Sequence, residues 1–198
     1  MFDDLKKLRL KAAAVTRSRD LTARGVSRET IRRLTRNGVF ERAARGVYLT
    51  PAAARSIHRD LLVVAARVPN GVFCLLTALA FHGLTSEMPH EVWVAVGLKA
   101  RAPALETPPL RVVRLSEGPL TFGIETHLEH DVPLRIFSEA KTVADCFKFR
   151  SAVGFDVAVA ALREGWEQRR FTIDELWQCA RVCRITAVMR PYLEVLVG

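Results

Sequence analysis

The sequence predicts an α+β protein in which an N-terminal winged helix-turn-helix is followed by a mixed α+β C-terminal domain. Three observations carry this prediction. A turn, a capped basic helix and a short hairpin follow one another over Gly25 to Tyr48. In the rest of the chain, a block of strand-like segments lies between two blocks of helix-like segments, which is typical of an α+β fold. The net charge of +9 lies entirely at the N-terminal end.

A helix is predicted from Arg28 to Arg36, because both of its ends carry sequence signals. Ser27 is a favourable N-cap, since its hydroxyl can accept a hydrogen bond from a free backbone N–H of the first turn. Glu29 adds a negative charge near the N-terminus, where the helix dipole favours it. Asn37-Gly38 ends the helix, and Gly38 suits the left-handed conformation of a C-terminal cap.

The two faces of this helix differ in chemistry. Ile31 and Leu34 lie on one side at helical spacing, whereas the arginines lie on the other. An arginine can bind guanine through two hydrogen bonds or hold a phosphate. The pattern predicts a recognition helix for the major groove of DNA. A preceding helix over Thr16 to Arg24 and the break at Gly25 complete a helix-turn-helix.

The segment after the recognition helix predicts a β-hairpin, the wing. Val39 to Arg42 and Gly46 to Leu49 are β-prone and flank a turn, with Arg42 and Arg45 near the tip. Ahead of the helix-turn-helix, a further helix is predicted from Phe2 to about Val15. Together these elements fill residues 1–52, the predicted DNA-binding domain, and residues 53–198 form the second predicted domain.

The distribution of charge matches this division. Residues 1–60 hold 15 Lys and Arg against 6 Asp and Glu, and the rest of the chain holds 15 of each kind. A basic segment attached to a neutral one is the electrostatic pattern of a nucleic-acid-binding domain joined to an effector domain. The alternative is a solvated basic helix beside an unrelated hairpin.

Periodicity predicts the elements of the second domain. Helices are expected over Arg55–Val68, Leu75–Leu84, Ser138–Phe149, Phe155–Arg169, Thr172–Cys183 and Ala187–Val197, and strands over Glu91–Val96, Arg111–Leu115, Leu120–Leu128 and Val132–Phe137. Thr172 and Glu175 have the spacing of a capping box. Without a signal peptide or an apolar run of about 18 residues, the sequence predicts a cytoplasmic protein that does not span a membrane.

No catalytic site, metal site or cofactor is predicted. Cys179 and Cys183 lie at i, i+4 on a helix and are expected to be buried core thiols, in a chain without CxxC spacing. His127 and His130, with acids nearby, are expected to be solvated and not to bind a metal. His82 is expected to be a hydrogen-bonded structural residue in an apolar helix.

Lys141 and Asp145 also have i, i+4 spacing. Such pairs commonly lie on the surface of a helix and contribute a few tenths of a kcal/mol. The sequence therefore predicts a surface ion pair rather than a catalytic one.

Four stretches of the sequence resemble the AbiEi antitoxin family, the transcriptional regulators of bacterial type IV toxin–antitoxin systems. They are Gly25–Pro51 with its Arg-Gly-Val-Tyr, Leu76–Leu84 followed by Glu91–Val96, Ser138–Cys146, and the helical C-terminus. Members often carry an Arg-Thr-Leu/Val-x-Asp pattern, and this chain has Lys141-Thr142-Val143-Ala144-Asp145 in its place.

The resemblance implies a winged helix that represses its own operon by binding inverted repeats in the promoter. It also implies a C-terminal domain that counteracts a nucleotidyltransferase-like toxin. Carried over to this chain, it implies DNA contacts from the recognition helix and the wing but no catalytic residues. The expected contacts with double-stranded DNA are Ser27, Arg28, Arg32, Arg33, Arg36, Arg42 and Arg45.

Two alternatives stay open at this point. The protein could be a ligand-responsive winged-helix regulator that has no toxin partner and binds a small molecule in its neutral domain. It could instead be a nucleic-acid enzyme, which would require Asp145, Glu139 and His127 to converge in space.

Overall fold

The computed structural model describes residues 13–101, 103 and 105–197. These residues cluster into two compact units. The first unit comprises the described residues up to Asn70 together with Pro103–Leu110 and His127–Leu134, and the second comprises the remaining described residues. The division into a DNA-binding domain of residues 1–52 and a second domain of residues 53–198 stays a prediction.

The first unit holds the predicted winged helix-turn-helix. Its elements are β1 (Val15–Arg17), α1 (Ser18–Ala23), α2 (Arg28–Arg36), β2 (Glu41–Ala44), β3 (Val47–Leu49), α3 (Pro51–Ala54) and α4 (Arg59–Arg67). The recognition helix, α2, has the predicted bounds. The three strands form an antiparallel sheet in the order β1-β3-β2.

Strand β1 corrects two predictions. The first predicted helix lies outside the described residues except at its end, where Val15 is in a strand. The second predicted helix was expected from Thr16 but begins at Ser18, because Thr16 and Arg17 pair with β3 instead. A three-residue strand leaves too little periodicity to be recognised from the sequence.

Two glycine caps set the path of the chain on either side of α2. After α1, Gly25 has φ +83°, its N–H donates to Thr22 O, and Val26 N–H donates to Leu21 O. This pair of hydrogen bonds is a Schellman motif, which closes the C-terminal end of a helix. The same arrangement, with Gly38 at φ +69°, follows α2.

A small apolar core holds these elements together. It consists of Leu21, Val26, Ile31, Leu34, Val39 and Phe40, with Tyr48 packed against it. The residues that the second hydrogen bond of each cap joins belong to this core: Val26 with Leu21, and Val39 with Leu34. The same turns that end the helices therefore also bury apolar side chains.

The helix predicted over Arg55–Val68 is wrong in its first turn. Thr50 accepts a hydrogen bond from Ala53 N–H at 3.4 Å, and Pro51 follows at the first helical position, so a short separate helix, α3, forms earlier. Helix α4 then begins only at Arg59. Ile57, an apolar residue in the first turn of the predicted helix, is 89% exposed.

The second unit is built around a five-stranded sheet. Its elements are β4 (Val72–Phe73), α5 (Leu75–His82), β5 (Val92–Gly97), β6 (Leu110–Leu115), α6 (Glu117–Thr121), β7 (Ile124–Glu129), β8 (Val132–Phe137), α7 (Glu139–Lys148), α8 (Arg150–Val153), α9 (Phe155–Glu167), α10 (Ile173–Cys183) and α11 (Thr186–Val197). The strand order is β6-β5-β4-β8-β7. Strand β4 pairs antiparallel with β5 and parallel with β8. Some residues of β6, β7 and β8 belong to the first unit.

The strand predicted over Leu120–Leu128 is wrong in its first half. Helix α6 occupies the chain up to Thr121, and β7 begins only after Gly123, which turns the chain at φ +67°. Strand β4 and helix α8 were not predicted, since each is too short to show a period. The predicted capping box at the start of α10 is confirmed, with Thr172 N–H donating to Glu175 Oε2 at 2.7 Å.

The core of the second unit lies among the sheet and helices α5, α7, α9, α10 and α11. Helix α7 is at its centre, and every residue from Ala140 to Phe147 is buried. The predicted α+β class is therefore confirmed. Among the described residues, no helix is long and apolar enough to cross a membrane.

Candidate nucleic-acid interface

The N-terminal end of the recognition helix is fixed by its cap. Ser27 Oγ accepts a hydrogen bond from Thr30 N–H at 3.1 Å, as the sequence predicted. Ile31 and Leu34 are 3% and 0% exposed, so their side of the helix is held against the small core. Because that face is buried, the opposite face is presented to solvent.

The opposite face is cationic. All four of its arginines are exposed: Arg28, Arg32, Arg33 and Arg36. Three of them recur at four-residue spacing and therefore form a row along the helix. Arg32 Nη1 lies 3.6 Å from Glu29 Oε2, but both side chains are about three-quarters exposed, at 75% and 72%. A pair so exposed contributes little and leaves the guanidinium available to another anion.

The wing differs slightly from the prediction. The tip was expected over Ala43–Gly46, but Ala44 still pairs in β2 and only Arg45 and Gly46 form the turn. The register shifts between Arg42 and Ala44, which marks a bulge in this strand. Arg42 lies opposite Tyr48 in the hairpin, and both wing arginines are exposed.

A backbone hydrogen bond joins the tip of the wing to the start of α1. Ser18 N–H donates to Gly46 O at 2.9 Å. Gly46 has φ +75°, and a Cβ at this position would lie 3.0 Å from Ser18 Oγ. Both facts favour glycine here, because the chain must turn in the left-handed region and pass close to the start of α1.

Arg17 is a structural residue that the sequence analysis did not single out. Its Nε lies 2.6 Å from Asp20 Oδ2, and its Nη1 donates to Ala66 O at 3.2 Å. It therefore joins β1, α1 and the end of α4. The hydrogen bond from Arg17 holds the pKa of the Asp20 carboxyl below its ordinary value.

The structure brings the seven predicted DNA contacts to the surface of the first unit. Five lie on or at the start of α2, and two lie in the wing. All seven are exposed: Ser27, Arg28, Arg32, Arg33, Arg36, Arg42 and Arg45. Their positions suit contact with a polyanion, and their role as DNA contacts stays a prediction.

The prediction of a surface pair between Lys141 and Asp145 is wrong. The two side chains are 0% and 1% exposed and form an ion pair inside the second unit. Cys183 Sγ donates to the other carboxylate oxygen at 3.2 Å, and Lys141 Nζ lies 4.1 Å from the centre of the Phe137 ring. Because α7 is central in its unit, even its i, i+4 polar pair is enclosed.

Two of the three residues that an enzyme would have needed, Asp145 and Glu139, have structural partners. Asp145 is buried with Lys141, and Glu139 accepts from Arg170 Nε at 2.9 Å. His82 is a structural residue, as predicted, since its Nε2 lies 2.8 Å from Phe137 O.

The cysteines and the remaining histidines carry no metal site in the part of the chain that is described. All four cysteines are free and buried, which confirms the prediction for Cys179 and Cys183. His130 Nε2 lies 3.6 Å from Glu129 Oε1. Neither His127 nor His130 belongs to a group of three potential metal ligands among the described residues.

The second unit contains a groove of about 560 Å³ beside the C-terminal end of α5. The ionisable residues that line it are Glu87, Asp156 and Glu164. Three carboxylates without a basic side chain opposite them do not specify a ligand. A ligand-responsive regulator therefore stays an open prediction.

Comparison with known protein families bears on the N-terminal end of the chain. Residues 14–51 match the family model described as a transcriptional regulator, the AbiEi antitoxin. This match confirms the predicted resemblance over these residues. We call residues 14–51 the AbiEi segment. It contains β1, α1, the recognition helix and the wing, which together form the winged helix-turn-helix with its exposed arginines. The AbiEi family is one of regulatory antitoxins that bind DNA and not a family of enzymes.

The fold extends beyond the AbiEi segment. Among solved structures, the crystal structure of the RV2827C protein from Mycobacterium tuberculosis matches with a TM-score of 0.60 and 15% sequence identity. The match covers 95% of this chain and 74% of that chain. At this identity the likeness shows the fold alone. A search among curated proteins found no match to the chain.

Proposed function

We propose that this protein is a sequence-specific DNA-binding repressor that autoregulates a toxin–antitoxin operon in the cytoplasm. We further propose that it is the antitoxin against a nucleotidyltransferase-like toxin. One observation carries the proposal: the AbiEi segment folds as a winged helix-turn-helix whose recognition helix buries one face and presents a row of arginines on the other.

The charge and geometry of this helix support specific binding to DNA. A helix of nine residues with an apolar inner face fits the width of the major groove. Its arginines can bind guanine edges with both nitrogen donors or hold phosphates, and the wing arginines can add backbone contacts. Two half-sites arranged as inverted repeats would be recognised by two copies of the protein.

The antitoxin part of the proposal assigns its action to the second unit. This unit has a core of its own, and its residues 71–102, 111–126 and 135–198 hold 14 Lys and Arg against 12 Asp and Glu, which is close to neutral. It therefore contributes little to non-specific attraction for DNA and is the part that would act on the toxin.

A promoter fusion tests the repressor. The protein is expressed beside a reporter driven by its own upstream DNA, and Arg32→Ala plus Arg33→Ala is compared with Arg163→Ala plus Arg181→Ala. The control pair removes the same charge from exposed positions of the second unit. Repression that is lost in the first double variant and kept in the second is expected. Equal repression by both variants would contradict the proposed interface.

Co-expression with the product of an adjacent nucleotidyltransferase-like gene tests the antitoxin. The protein is expected to restore growth, and the Arg32→Ala plus Arg33→Ala variant should restore it when its own expression comes from an unrelated promoter. Growth arrest that wild-type protein does not relieve would overturn the antitoxin part and leave the repressor standing. Repression that requires an added metabolite would instead favour the ligand-responsive regulator.

A further inference from the structure

A broad groove in the first unit lies beside the tip of the wing. Its volume is about 1160 Å³. We call it the wing groove, and the charged residues that line it are Arg17, Arg19, Arg42, Arg45, Arg67 and Glu106. It thus brings together the start of α1, the wing tip and the end of α4.

The wing groove is strongly cationic. Five arginines line it, and Glu106 is the one carboxylate among its described lining residues. Arg19, Arg42, Arg45 and Arg67 are exposed. Arg19 Nε lies 3.6 Å from Asp20 Oδ1, but the Arg19 side chain is 72% exposed, so this pair holds it weakly.

Arg17 has a different part in this groove. It is half-buried and is held by Asp20 at 2.6 Å and by Ala66 O at 3.2 Å. These bonds tie the start of α1 to the end of α4, which fixes the two walls that carry Arg19 and Arg67.

The chemistry of the groove suits a chain of phosphates rather than a compact ligand. Pockets for small molecules are typically about 300–1,000 Å³, mostly apolar, and carry only a few polar groups. The wing groove is larger, and five of its fourteen described lining residues are arginines, whose guanidinium groups can bind phosphate oxygens in a bidentate manner. It is also continuous with Arg42 and Arg45, which belong to the proposed DNA interface.

We propose that the wing groove holds the phosphodiester backbone of the bound DNA, so that Arg19 and Arg67 extend the contact beyond the recognition helix and the wing. The inference rests on the proposed function, because it requires the first unit to bind a duplex. Neither arginine was predicted from the sequence, since they are 48 positions apart and only the fold brings them to one groove.

The test is the salt dependence of DNA binding by full-length protein. Arg19→Gln plus Arg67→Gln is compared with wild type by fluorescence anisotropy on the protein's own upstream duplex and on a scrambled duplex. Each phosphate contact that is lost should reduce the slope of log K against log salt by about 0.9, so the double variant should lose about 2. The loss should be the same on both duplexes, since phosphates carry no sequence information.

A matched variant controls for overall charge. Arg163→Gln plus Arg181→Gln removes two exposed arginines from the second unit and should leave the slope unchanged. Equal slopes for the wing-groove variant and this control would overturn the inference. Thermal melting followed by circular dichroism checks that both variants keep the fold.

Two further outcomes distinguish a failure of the wing-groove proposal from a failure of the proposed function. In the first outcome, wild type binds DNA and the Arg32→Ala plus Arg33→Ala variant loses its preference for the promoter. If the Arg19→Gln plus Arg67→Gln variant then keeps the wild-type slope, only the wing-groove proposal fails. If wild type binds no duplex, both proposals fail. Binding of inorganic tripolyphosphate that depends on Arg19 and Arg67, combined with an unchanged DNA slope, would identify a small-anion site and overturn the inference.

Discussion

Lys141 and Asp145 form an ion pair in the core of the second unit, where their side chains are 0% and 1% exposed. A charge in such a position must be paired and hydrogen-bonded, because its loss of hydration is otherwise not offset. Cys183 completes the environment of the carboxylate, and the ring of Phe137 faces the ammonium group. The pair is therefore a structural element of the core.

Removal of one partner should strongly destabilise the second unit. Lys141→Met leaves the Asp145 carboxylate buried without its counter-charge, and such a change typically costs about 3–5 kcal/mol. Urea unfolding followed by tryptophan fluorescence measures the effect, because Trp93, Trp166 and Trp177 all lie in this unit. Asp145→Leu combined with Lys141→Met should be less destabilising than Lys141→Met alone. A cost below about 1 kcal/mol for Lys141→Met would contradict a buried charged pair.

The cap at the start of the recognition helix gives a second prediction. Ser27→Ala removes the acceptor for Thr30 N–H and should destabilise the helix by about 1 kcal/mol, whereas Ser27→Gly should cost only a few tenths. Hydrogen exchange of the backbone amides of α2 measures this locally. The alanine variant should exchange several-fold faster than the glycine variant. Equal exchange in wild type and Ser27→Ala would show that the hydroxyl does not cap the helix.

Helix α9 contains a glycine that packs against an aromatic ring. A Cβ at Gly165 would lie 2.5 Å from Cζ of Phe171, which is itself buried. Gly165→Ala should therefore cost about 1–3 kcal/mol through overpacking. Gly118→Ala is the control, because no atom lies within 4 Å of the added Cβ there. Phe171→Leu in the Gly165→Ala background should recover part of the loss in urea unfolding, and no recovery would contradict the packing explanation.

We expect the protein to lose stability at alkaline pH, because burial raises the pKa of its thiols. Burial raises the pKa of Cys179 from 9.0 to about 11 and that of Cys183 to about 12. The unfolded chain ionises these thiols first. The contribution of each thiol to stability is therefore complete below about pH 9 and declines as the pH rises towards the pKa in the folded protein.

Cys179→Ala measures this contribution. It leaves a small cavity, so its stability at about pH 8 should be lower than that of wild type. Between about pH 8 and pH 10, however, the variant should lose roughly 1 kcal/mol less than wild type. Identical pH dependence of the urea midpoints in the two proteins would show that Cys179 does not stay protonated in the fold.

Local signals in the sequence were sufficient to predict where the recognition helix begins and ends. Ser27, Gly38 and the spacing of Ile31 and Leu34 act within one or two turns, so the bounds of α2 were predicted correctly. The burial of Lys141 could not be predicted in this way. An i, i+4 pair has the same spacing on a surface helix and on a central one. Whether the pair is exposed or buried depends on the helices that pack around it.

The candidate interface likewise has one part that local sequence patterns predict and one part that they do not. Its helix and wing arginines lie in one continuous stretch, whereas Arg17, Arg19 and Arg67 meet only because β1 joins the sheet and α4 packs nearby. Strand β1 is three residues long and has no periodicity to detect. Short strands and contacts between distant segments are the features that sequence patterns miss here.

The recognition helix is proposed to read bases in the protein's own promoter. The decisive measurement is fluorescence anisotropy over a salt series, on the native upstream duplex and on a scrambled duplex. We expect tight binding to the native duplex, and Arg32→Ala or Arg33→Ala should each cost roughly 1–3 kcal/mol there if the residue contacts a base. The scrambled duplex should be bound weakly by every variant. Equal, weak and salt-sensitive binding of wild type to both duplexes would contradict the claim, and the basic segment would then be a non-specific anchor.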